Sequence, residues 1–596
     1  MANKTVADHT ADYLYYTLAI DTIFSVTGGG AMFLNDSFGN HDFLKAVYNH
    51  HEQASAMAAV GYAKARDGLG AVCVTTGCGC TNAITGLLDA WQDNVPVIFV
   101  SGQVKFRDTT YGTKQKIRQL GVQEANIIEI VKSITKYSVM LSDPKKIRYE
   151  LEKASHIAQN GRSGPVWIDI PQDIQGAKVE WDELEPYSPE DKKISLDPKA
   201  LANLQDELNK SARPIVLAGN GIRLASQREK FKEFIERVNV PAVFSYLSID
   251  LLPSNHELNI GRLGTKGDRA GNFAIQNADL VLVLGSRLSI PLTGFEYKLF
   301  AREAKIIVID IDPVEHSKDT VRIDSFIQGD LREFFEVERL EFDHADPKWL
   351  RKCQVWKKKW PVYDKKYAQE EKVNMYEFVD ALREFSPDDA HFVSDAGSAY
   401  YVSSQAIQLS ETQRYHTSGA QADMGFTLPA AIGVSMAKKE AAVIAITGDG
   451  SLQMNLQELQ LLAHHKPNIK LVVWNNGGYL SIKTTQRKFF SDRFAGTGTN
   501  SGLSFPSTKK IADAYGIPYH CISTPSRLRA ELRGILDASG PVLIEVICPE
   551  FQEVIPNVSA LKREDGSMVS KPLEDMYPFL DRKVFSDNMI VKPLDE

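Results

Sequence analysis

Short runs of β-branched and other apolar residues recur along the chain, and each is followed by a Gly-rich or acidic turn. Such runs are typical of strands that lie in parallel sheets and are buried on both faces. Helical patterns fall between them, as at 54–66 and 456–465. The alternation predicts an α/β protein of doubly wound, mostly parallel sheets, in which ligands bind beyond the carboxyl ends of the strands. The predicted strands are 71–76, 95–100, 166–170, 214–217, 280–284, 306–311, 443–446, 471–474 and 542–547.

The length of 596 residues exceeds what one hydrophobic core usually supports, so we expect several domains. Two charged stretches without strand signals, 175–198 and 340–373, are interpreted as linkers. We therefore predict an N-terminal domain at 1–180, a middle Rossmann-like domain at 195–340 and a third domain at 370–550. Residues 551–596 are left as a C-terminal tail.

Composition and charge argue against several functional classes. Hydrophobic residues at 43% and charged residues at 24% are typical of a soluble globular chain. The net charge of −8 lacks the basic footprint of a nucleic-acid-binding protein, and the Lys run at 357–359 is interpreted as part of a solvated amphipathic connector. We find no signal peptide or membrane span. Six scattered cysteines favour a reducing, cytoplasmic location over a disulfide framework or a zinc site.

The strongest chemical signal is a Gly-Asp-Gly-Ser motif at 448–451, followed by an Asn-Asn pair at 475–476. The glycines let backbone N–H groups approach phosphate oxygens, and a helix predicted to begin near Asn455 would direct its positive end at them. Asp449 and Asn476 supply oxygen ligands of the kind that Mg²⁺ prefers. The 24 residues from Ser451 to Trp474 accommodate one helix and one strand. We therefore predict a cradle for Mg²⁺ and a diphosphate.

This pattern resembles the signature of thiamine-diphosphate enzymes, in which GDG is followed some two dozen residues later by NN. The resemblance implies that Mg²⁺ is held by Asp449, Asn476 and the backbone carbonyl of Gly478. A second run, at 48–53, resembles the glutamate segment of the acetolactate synthase family. In that family the carboxylate bonds the aminopyrimidine ring of the cofactor and promotes loss of the thiazolium C2 proton. Glu52 is thus predicted to be catalytic, and a desolvated site would help it to keep its proton.

Further segments match the same family in the same order along nearly the whole chain. Gln123-Glu124 resembles the family's Phe-Gln-Glu motif, so Gln123 is also predicted to be catalytic. The segment around Met424 resembles the one whose methionine props the cofactor in a bent conformation. The resemblance implies that thiamine diphosphate is bound by Gly28, Gly29, Gly79, Asn82, Gly397, Ser398, Met424, Gly448, Gly450, Ser451 and Tyr479.

The same resemblance implies an assembly. In the family the glutamate reaches a cofactor held by the partner subunit, so we expect a homodimer or homotetramer with active sites between subunits. A monomer should then be inactive. Small residues after Glu52 would permit close helix approach, consistent with a dimer interface: Ala54, Ser55, Ala56, Ala58, Ala59 and Gly61.

A second cofactor is left open in the middle domain. Gly219-Asn220-Gly221 and Asp310-Ile311-Asp312 each follow a predicted strand and could serve a dinucleotide. Flavin-containing relatives carry a Phe-Asp-Asp-Arg run where this chain has Leu-Ser-Ile-Pro at 288–291. This difference argues against FAD, and any FAD bound here would be a structural group without a redox part in the reaction.

Residues on the substrate side differ from the family. Simple keto-acid decarboxylases carry a glutamate six positions past the second Asn, where this chain has Ile482. Acetolactate synthases place a Trp near the position of Thr485, which shapes a small apolar acceptor pocket. The polar set Ser481, Lys483, Thr484 and Thr485 suits a bulkier, hydroxylated acceptor instead.

The leading hypothesis is a carboligase that decarboxylates a 2-keto acid such as pyruvate and transfers the acyl unit to a second carbonyl compound. That acceptor could be a keto acid, or a keto or aldehydo sugar. The alternatives are a C–C lyase or hydrolase of a diketone, and a simple 2-keto acid decarboxylase. A catalytically silent homologue would be expected to lack Glu52, Asp449 or Asn476, and all three are present, which argues against that class. A NAD dehydrogenase would need a full GxGxxG turn with a downstream acid for the ribose, which we do not find.

Overall fold

The computed structural model describes residues 4–113, 115–190, 194–342, 347–562 and 568–594. Within these ranges the chain forms three six-stranded sheets in which all paired strands run parallel, and this confirms the predicted fold class. Each predicted strand overlaps an observed one. Two small antiparallel pairs are added, β1 (Lys4–Thr5) with β8 (Lys178–Val179) and β21 (Ala560–Lys562) with β22 (Met568–Ser570).

The first sheet has the strand order β3-β2-β4-β5-β7-β6. Its strands are β2 (Thr22–Ser25), β3 (Lys45–Tyr48), β4 (Gly70–Val74), β5 (Val97–Gln103), β6 (Tyr137–Met140) and β7 (Val166–Pro171). The helices around it are α1 (Val6–Asp12), α2 (Met32–Gly39), α3 (Glu52–Arg66), α4 (Cys78–Asn82), α5 (Ile84–Gln92), α6 (Ile127–Val131), α7 (Ile147–Gln159) and α8 (Gln172–Gln175).

The middle sheet has the order β11-β10-β9-β12-β13-β14. Its strands are β9 (Pro214–Ala218), β10 (Ala242–Phe244), β11 (Asn259–Arg262), β12 (Leu280–Leu284), β13 (Lys305–Asp310) and β14 (Ser325–Gln328). Its helices are α9 (Pro198–Lys210), α10 (Gly221–Leu224), α11 (Arg228–Val238), α12 (Arg269–Asn277), α13 (Ile290–Thr293), α14 (Leu331–Val337) and α15 (Pro347–Lys359).

The third sheet has the order β16-β15-β17-β18-β20-β19. Its strands are β15 (His391–Ser394), β16 (Arg414–Thr417), β17 (Val443–Gly448), β18 (Ile469–Asn475), β19 (Tyr519–Ile522) and β20 (Val542–Ile547). Its helices are α16 (Met375–Phe385), α17 (Gly397–Ala406), α18 (Thr427–Ala437), α19 (Asp449–Leu452), α20 (Leu459–His465), α21 (Leu480–Phe490), α22 (Thr508–Tyr515) and α23 (Pro525–Asp537), and α24 (Arg582–Asn588) follows near the end of the chain.

The connector around the Lys run forms an amphipathic helix, as interpreted from the sequence: Lys358 and Lys359 are exposed, and the opposite face is packed. Helix α15 buries Trp349 and Trp356 against the middle domain. The Trp356 indole N–H donates to Asn588 Oδ1 of α24 at 3.0 Å, and Lys357 Nζ donates to the Ser254 carbonyl at 2.7 Å. The residues after 551 therefore cover the middle domain. Within the described ranges, every helix is too short or too polar to span a lipid bilayer.

Candidate active site

Glu52 is the first residue of α3, just beyond the carboxyl end of β3. The His51 imidazole accepts a hydrogen bond from the Gln53 N–H at 3.1 Å and caps the helix. Glu52 is 9% exposed, and its carboxylate accepts a hydrogen bond from Asn82 Nδ2 at 2.9 Å. A Cβ on Gly79 would lie 3.4 Å from Glu52 Oε1. The fold thus brings Gly79 and Asn82 to the two oxygens of one nearly buried carboxylate.

The predicted glycine turn lies beside this carboxylate and packs on Thr75. A Cβ on Gly28 would lie 2.4 Å from Thr75 Cγ2, and the Gly30 N–H donates to the Thr75 hydroxyl at 3.0 Å. Thr75 also adjoins Gly79, where a Cβ would meet its methyl group at 2.6 Å. At Gly29 a Cβ would have no described heavy atom within 4 Å. Gly29 therefore borders open space, while its neighbours Gly28 and Gly30 are packed on the 75–76 segment.

Gln123 contacts the same loop through its backbone. Its carbonyl accepts a hydrogen bond from the Thr76 hydroxyl at 3.4 Å, and a Cβ on Gly77 would lie 2.4 Å from that carbonyl oxygen. The Gln123 side chain is exposed. Its neighbour Glu124 is buried and accepts the Thr110 N–H at 2.6 Å, which anchors the long 104–123 loop. The structure thus places the Gln123 backbone against Thr76 and Gly77, and among the described residues its side chain has no hydrogen bond to Glu52.

The predicted cradle forms where β17 and β18 end side by side. Asp449 Oδ2 accepts hydrogen bonds from the Gly477 N–H at 2.8 Å and the Gly478 N–H at 3.0 Å. Asn476 Nδ2 donates to the Gly478 carbonyl at 3.0 Å. Burial raises the pKa of Asp449 to about 6, against the lowering by those backbone N–H groups. One carboxylate, one side-chain amide and one backbone carbonyl are therefore gathered in a single buried cluster.

The helix expected to begin near Asn455 begins instead at Asp449. Helix α19 runs over Asp449–Leu452, and Asn455 has non-helical angles (φ −135°, ψ 34°) that break the path to α20. Asn455 Nδ2 donates to the Gly425 carbonyl at 2.9 Å, so its side chain takes a partner outside the helix. The helical turn next to the cradle is therefore α19, which begins inside the Gly-Asp-Gly-Ser motif.

A buried carboxylate that the motifs did not reveal, Asp395, joins several of the predicted residues. It follows β15, and its oxygens accept hydrogen bonds from the Ser451 hydroxyl at 2.6 Å, the Thr447 hydroxyl at 2.9 Å and the Ala396 N–H at 2.7 Å. Burial raises its pKa. The Ser451 oxygen in turn accepts the Gly425 N–H at 2.8 Å. The sequence signal that could have identified Asp395 is its position directly after a predicted strand, where ligand-binding residues of parallel sheets lie.

The remaining predicted residues surround this centre. Gly397 and Ser398 begin α17, and a Cβ on Gly397 would lie 3.4 Å from the Ser481 hydroxyl. Met424 is half-buried in the loop that ends at Gly425. The Tyr479 ring covers Gly450: a Cβ there would lie 2.1 Å from Tyr479 Cε1. Glycine is thus required at position 450 by packing against the ring.

Known protein families match this arrangement over most of the chain. The N-terminal TPP binding domain of thiamine pyrophosphate enzymes matches residues 4–125, their central domain matches 201–337, and their C-terminal TPP binding domain matches 395–546. The acetolactate synthase large subunit of Lactococcus lactis subsp. lactis is 31% identical over 554 residues, which cover 91% of this chain and 92% of the relative. The chain belongs to the acetolactate synthase family of thiamine pyrophosphate enzymes.

Plant and other bacterial members of the acetolactate synthase family show similar identity to this chain. Acetolactate synthase 2, chloroplastic, of Nicotiana tabacum is 30% identical, over 90% of this chain and 81% of the relative. Acetolactate synthase isozyme 2 large subunit of Escherichia coli K12 is 29% identical, over 90% of this chain and 95% of the relative. The resemblance inferred from the motifs is therefore confirmed, and with it a thiamine-diphosphate-dependent enzyme of the acetolactate synthase type.

The cradle of this acetolactate synthase family member fits its cofactor. At Gly448 and at Gly477 a Cβ would have no described heavy atom within 4 Å, so both glycines border open space. Backbone N–H groups beside such space can approach phosphate oxygens closely. The Asp449, Asn476 and Gly478 oxygens are hard donors, which suit a small divalent cation.

The small-residue face of α3 packs inside one chain of this family member, so its assignment to a dimer interface was wrong. A Cβ on Gly61 would lie 2.4 Å from the Ala430 carbonyl oxygen of α18, and a Cβ on Gly433 would lie 1.9 Å from the Ala58 carbonyl oxygen of α3. Gly86 of α5 packs closely on Ala56. Backbones can approach this closely only where side chains are absent, so Ala58 and Gly61 of α3 and Gly433 of α18 join two domains of the same chain.

The polar substrate-side residues mostly have partners within the chain. The Thr484 and Thr485 hydroxyls donate to carbonyls one turn earlier in α21, at 2.9 Å and 3.1 Å. Lys483 is buried and donates to the Gly477 carbonyl at 3.0 Å and to Glu550 at 2.8 Å. Ile482, in contrast, is 49% exposed. Thr484 and Thr485 are nevertheless exposed, and their hydroxyl oxygens can still accept hydrogen bonds, whereas Lys483 is withdrawn from the surface.

A cleft of about 240 Å³ lies between the middle domain and its two neighbours in this family member. Both segments that could serve a dinucleotide reach it, through Asn220, Gly221, Asp310 and Ile311. Asp93 and Gly419, from the other two domains, line it as well.

Proposed function

We propose that the protein is a thiamine-diphosphate-dependent carboligase that decarboxylates a 2-keto acid, with pyruvate as the first candidate, and transfers the acyl unit to a second carbonyl compound. One observation supports this above all: a nearly buried acid, Glu52, and the oxygen cluster at Asp449 occur together in a chain related to acetolactate synthases over about nine-tenths of its length. When bound, thiamine diphosphate would supply the electron sink that decarboxylation of a 2-keto acid requires.

Mg²⁺ would be held by the Asp449 carboxylate, the Asn476 side-chain oxygen and the Gly478 carbonyl. Asn476 now donates to Gly478 through its Nδ2 atom, so it would have to turn its amide oxygen toward the cation. The positive charge would favour the ionised carboxylate and lower the pKa of Asp449 from its raised value of about 6. The Gly448 N–H would bind the diphosphate oxygens, and the Gly450 N–H, which donates to Asp449 Oδ1 at 2.7 Å, would become available to them once that carboxylate binds the cation.

Glu52 would hold and move the proton that activates the cofactor ring. Asn82 Nδ2 donates a hydrogen bond to Glu52 Oε2, whereas Glu52 Oε1 faces Gly79. A side chain at position 79 would take the space beside Oε1 that the cofactor ring would need. Gly28, Gly29 and Met424 would bind and orient the ring.

The active sites would lie between two copies of the chain. Among the described residues, no hydrogen bond or ion pair joins Glu52 to the 449–478 cradle of its own chain. The two halves are therefore proposed to meet across copies, in a homodimer or homotetramer, so that each cofactor uses Glu52 of one copy and Asp449 of the other.

The acceptor is proposed to be a second keto acid or a keto or aldehydo sugar. The exposed Ile482 stands where a simple decarboxylase would carry its glutamate, which favours ligation over plain decarboxylation. FAD remains a second candidate group, because the cleft at Gly221 and Asp310 could receive a dinucleotide. Visible flavin absorbance of the purified protein would decide this point.

The test is a product analysis. Purified protein with thiamine diphosphate and Mg²⁺ is incubated with pyruvate alone, with pyruvate plus a panel of carbonyl acceptors, and with a cyclic or branched diketone. We expect CO₂ release and a ligated product identified by mass, and no CO₂ release when Mg²⁺ is removed. Cleavage of the diketone without turnover of any keto acid would establish the lyase or hydrolase alternative instead.

A further inference from the structure

A buried carboxylate of the third domain lies against the turn that precedes Glu52. Glu458 Oε2 accepts a hydrogen bond from Asn49 Nδ2 at 2.9 Å, and Glu458 Oε1 accepts the His50 N–H at 3.0 Å. Asn49 is itself fixed, because its Oδ1 accepts the Ser55 hydroxyl of α3 at 3.2 Å. Glu458 is 0% exposed and Asn49 is 5% exposed. The turn before the catalytic acid is therefore bound by an acid from another domain.

Glu458 also belongs to the segment that carries the cradle. That segment starts at Asp449, and Glu458 follows nine positions later. Between them, Asn455 donates to the Gly425 carbonyl next to Met424 and contacts Met57 Sδ of α3 at 3.6 Å. The cradle, the Met424 loop and the start of α3 are thus linked by side chains within ten residues of chain.

We propose that Glu458 is a positioning residue for Glu52: by holding the 49–51 turn, it fixes the first turn of α3 relative to the cradle segment of the same chain. The inference rests on the proposed function, since it takes Glu52 to be the catalytic acid. Glu458 itself touches neither substrate nor cofactor in this account.

A carboxylate suits this task because it can accept from two directions at once. Burial raises the pKa of Glu458 to about 7, while Asn49 and the backbone N–H groups of His50 and His51 act in the opposite direction. A merely packing residue at this place would be apolar, because a buried carboxyl group without such donors is costly. The bonds are directional, so they fix the position of the turn as well as its burial.

The test compares two conservative substitutions and their combination. Glu458→Gln keeps the size of the side chain but replaces one carboxylate oxygen by an NH₂ group. Two NH₂ groups, at positions 458 and 49, would then face each other, and the hydrogen bond between these side chains would be lost. Adding Asn49→Asp restores the pair with reversed polarity, since the amide at position 458 can then donate to the carboxylate at position 49. Glu440→Gln, at an exposed position just before β17, is the matched control.

Two readouts are measured. Backbone amide deuterium exchange over 48–53 is followed in the cofactor-free protein, and exchange of the C2 proton of bound thiamine diphosphate is followed in the holoenzyme. For Glu458→Gln we expect amide exchange to rise about tenfold and C2 exchange to fall about tenfold, equivalent to one charge-assisted hydrogen bond. The affinity for thiamine diphosphate should change less than twofold, and the double variant should recover both rates.

The outcomes separate the two proposals. Unchanged amide and C2 exchange in Glu458→Gln, or a double variant no better than the single one, would overturn the positioning role. Equal loss of cofactor affinity and C2 exchange would also overturn it, because that pattern indicates general destabilisation. No C2 exchange in the unmodified holoenzyme would contradict the proposed function, whereas the amide readout would still report on the 49–51 turn.

Discussion

A close contact between helices α3 and α18 offers a sharp test of how the two cofactor-binding domains are joined. Gly433 of α18 lies against α3, and a Cβ there would be 1.9 Å from the Ala58 carbonyl oxygen and 2.8 Å from the Tyr62 backbone nitrogen. An ordinary carbon–oxygen contact is about 3.3–3.6 Å, so Gly433→Ala must push the helices apart by roughly 1.5 Å. Neither contact atom can rotate away, because both belong to the backbone.

The expected cost follows from overpacking. Inserting a methyl group into a packed interface typically costs about 1–3 kcal/mol, and the gain in helix propensity from Gly to Ala offsets up to about 1 kcal/mol of this. We therefore expect Gly433→Ala to lower the free energy of unfolding by about 1–2 kcal/mol. It should also weaken the activity more than the stability alone would explain, because α3 carries Glu52.

The control is the same chemical change where there is space. Gly534 lies on the exposed side of α23, and a Cβ there would have no described heavy atom within 4 Å. Gly534→Ala should raise the free energy of unfolding by about 0.5–1 kcal/mol. Both variants are compared with the unmodified protein by urea unfolding and by calorimetry. Equal stability of the two variants would refute the close packing of α18 on α3.

Three other predictions concern the site and the core. Glu52→Gln should retain thiamine diphosphate yet slow exchange of its C2 proton by about 100-fold or more, measured by NMR after acid quench; normal exchange would remove Glu52 from the mechanism. Asp449→Ala should weaken Mg²⁺-dependent cofactor retention by more than about tenfold in equilibrium dialysis, and unchanged retention would contradict the metal assignment. His391 is buried against His416, and burial lowers its pKa from 6.5 to about 4, so its contribution to stability is present above pH 6.5 and is lost as the pH falls toward 4. As the pH falls from 6.5 to 4, the free energy of unfolding of His391→Gln should therefore fall less than that of the unmodified protein, by about 1.4 kcal/mol per pH unit. The free energies are measured by urea unfolding at each pH, and the same pH dependence in both proteins would contradict this.

Local patterns were sufficient for the strands and the cradle. Each buried parallel strand is a short apolar run, so its position follows from the sequence without knowledge of its neighbours. The motif at 448–451 and the Asn pair at 475–476 each stand at a strand end, and adjacent parallel strands bring these ends together. The donors around Asp449 are therefore close for a reason that the sequence already contained.

Other features depended on contacts between distant segments. Asn455 leaves the helix because its side chain binds Gly425, which the local pattern around 455 cannot reveal. The role of Asp395 at the centre of the site likewise depends on Ser451 and Thr447, more than fifty positions away. The Trp356 side chain of α15 binds Asn588, because residues after 551 return to cover the middle domain.

The small-residue face of α3 separates what the sequence determined from what only the tertiary structure decided. The sequence determined that a helix with alanine and glycine on one side must meet another backbone closely, since no side chain is present to keep it away. It also determined that an acid would stand at the start of that helix. Only the tertiary structure decided that the partner is α18 of the same chain, and that Glu458 binds the turn before Glu52. Many helices could satisfy the first requirement, and the choice among them is made by the packing of the whole chain.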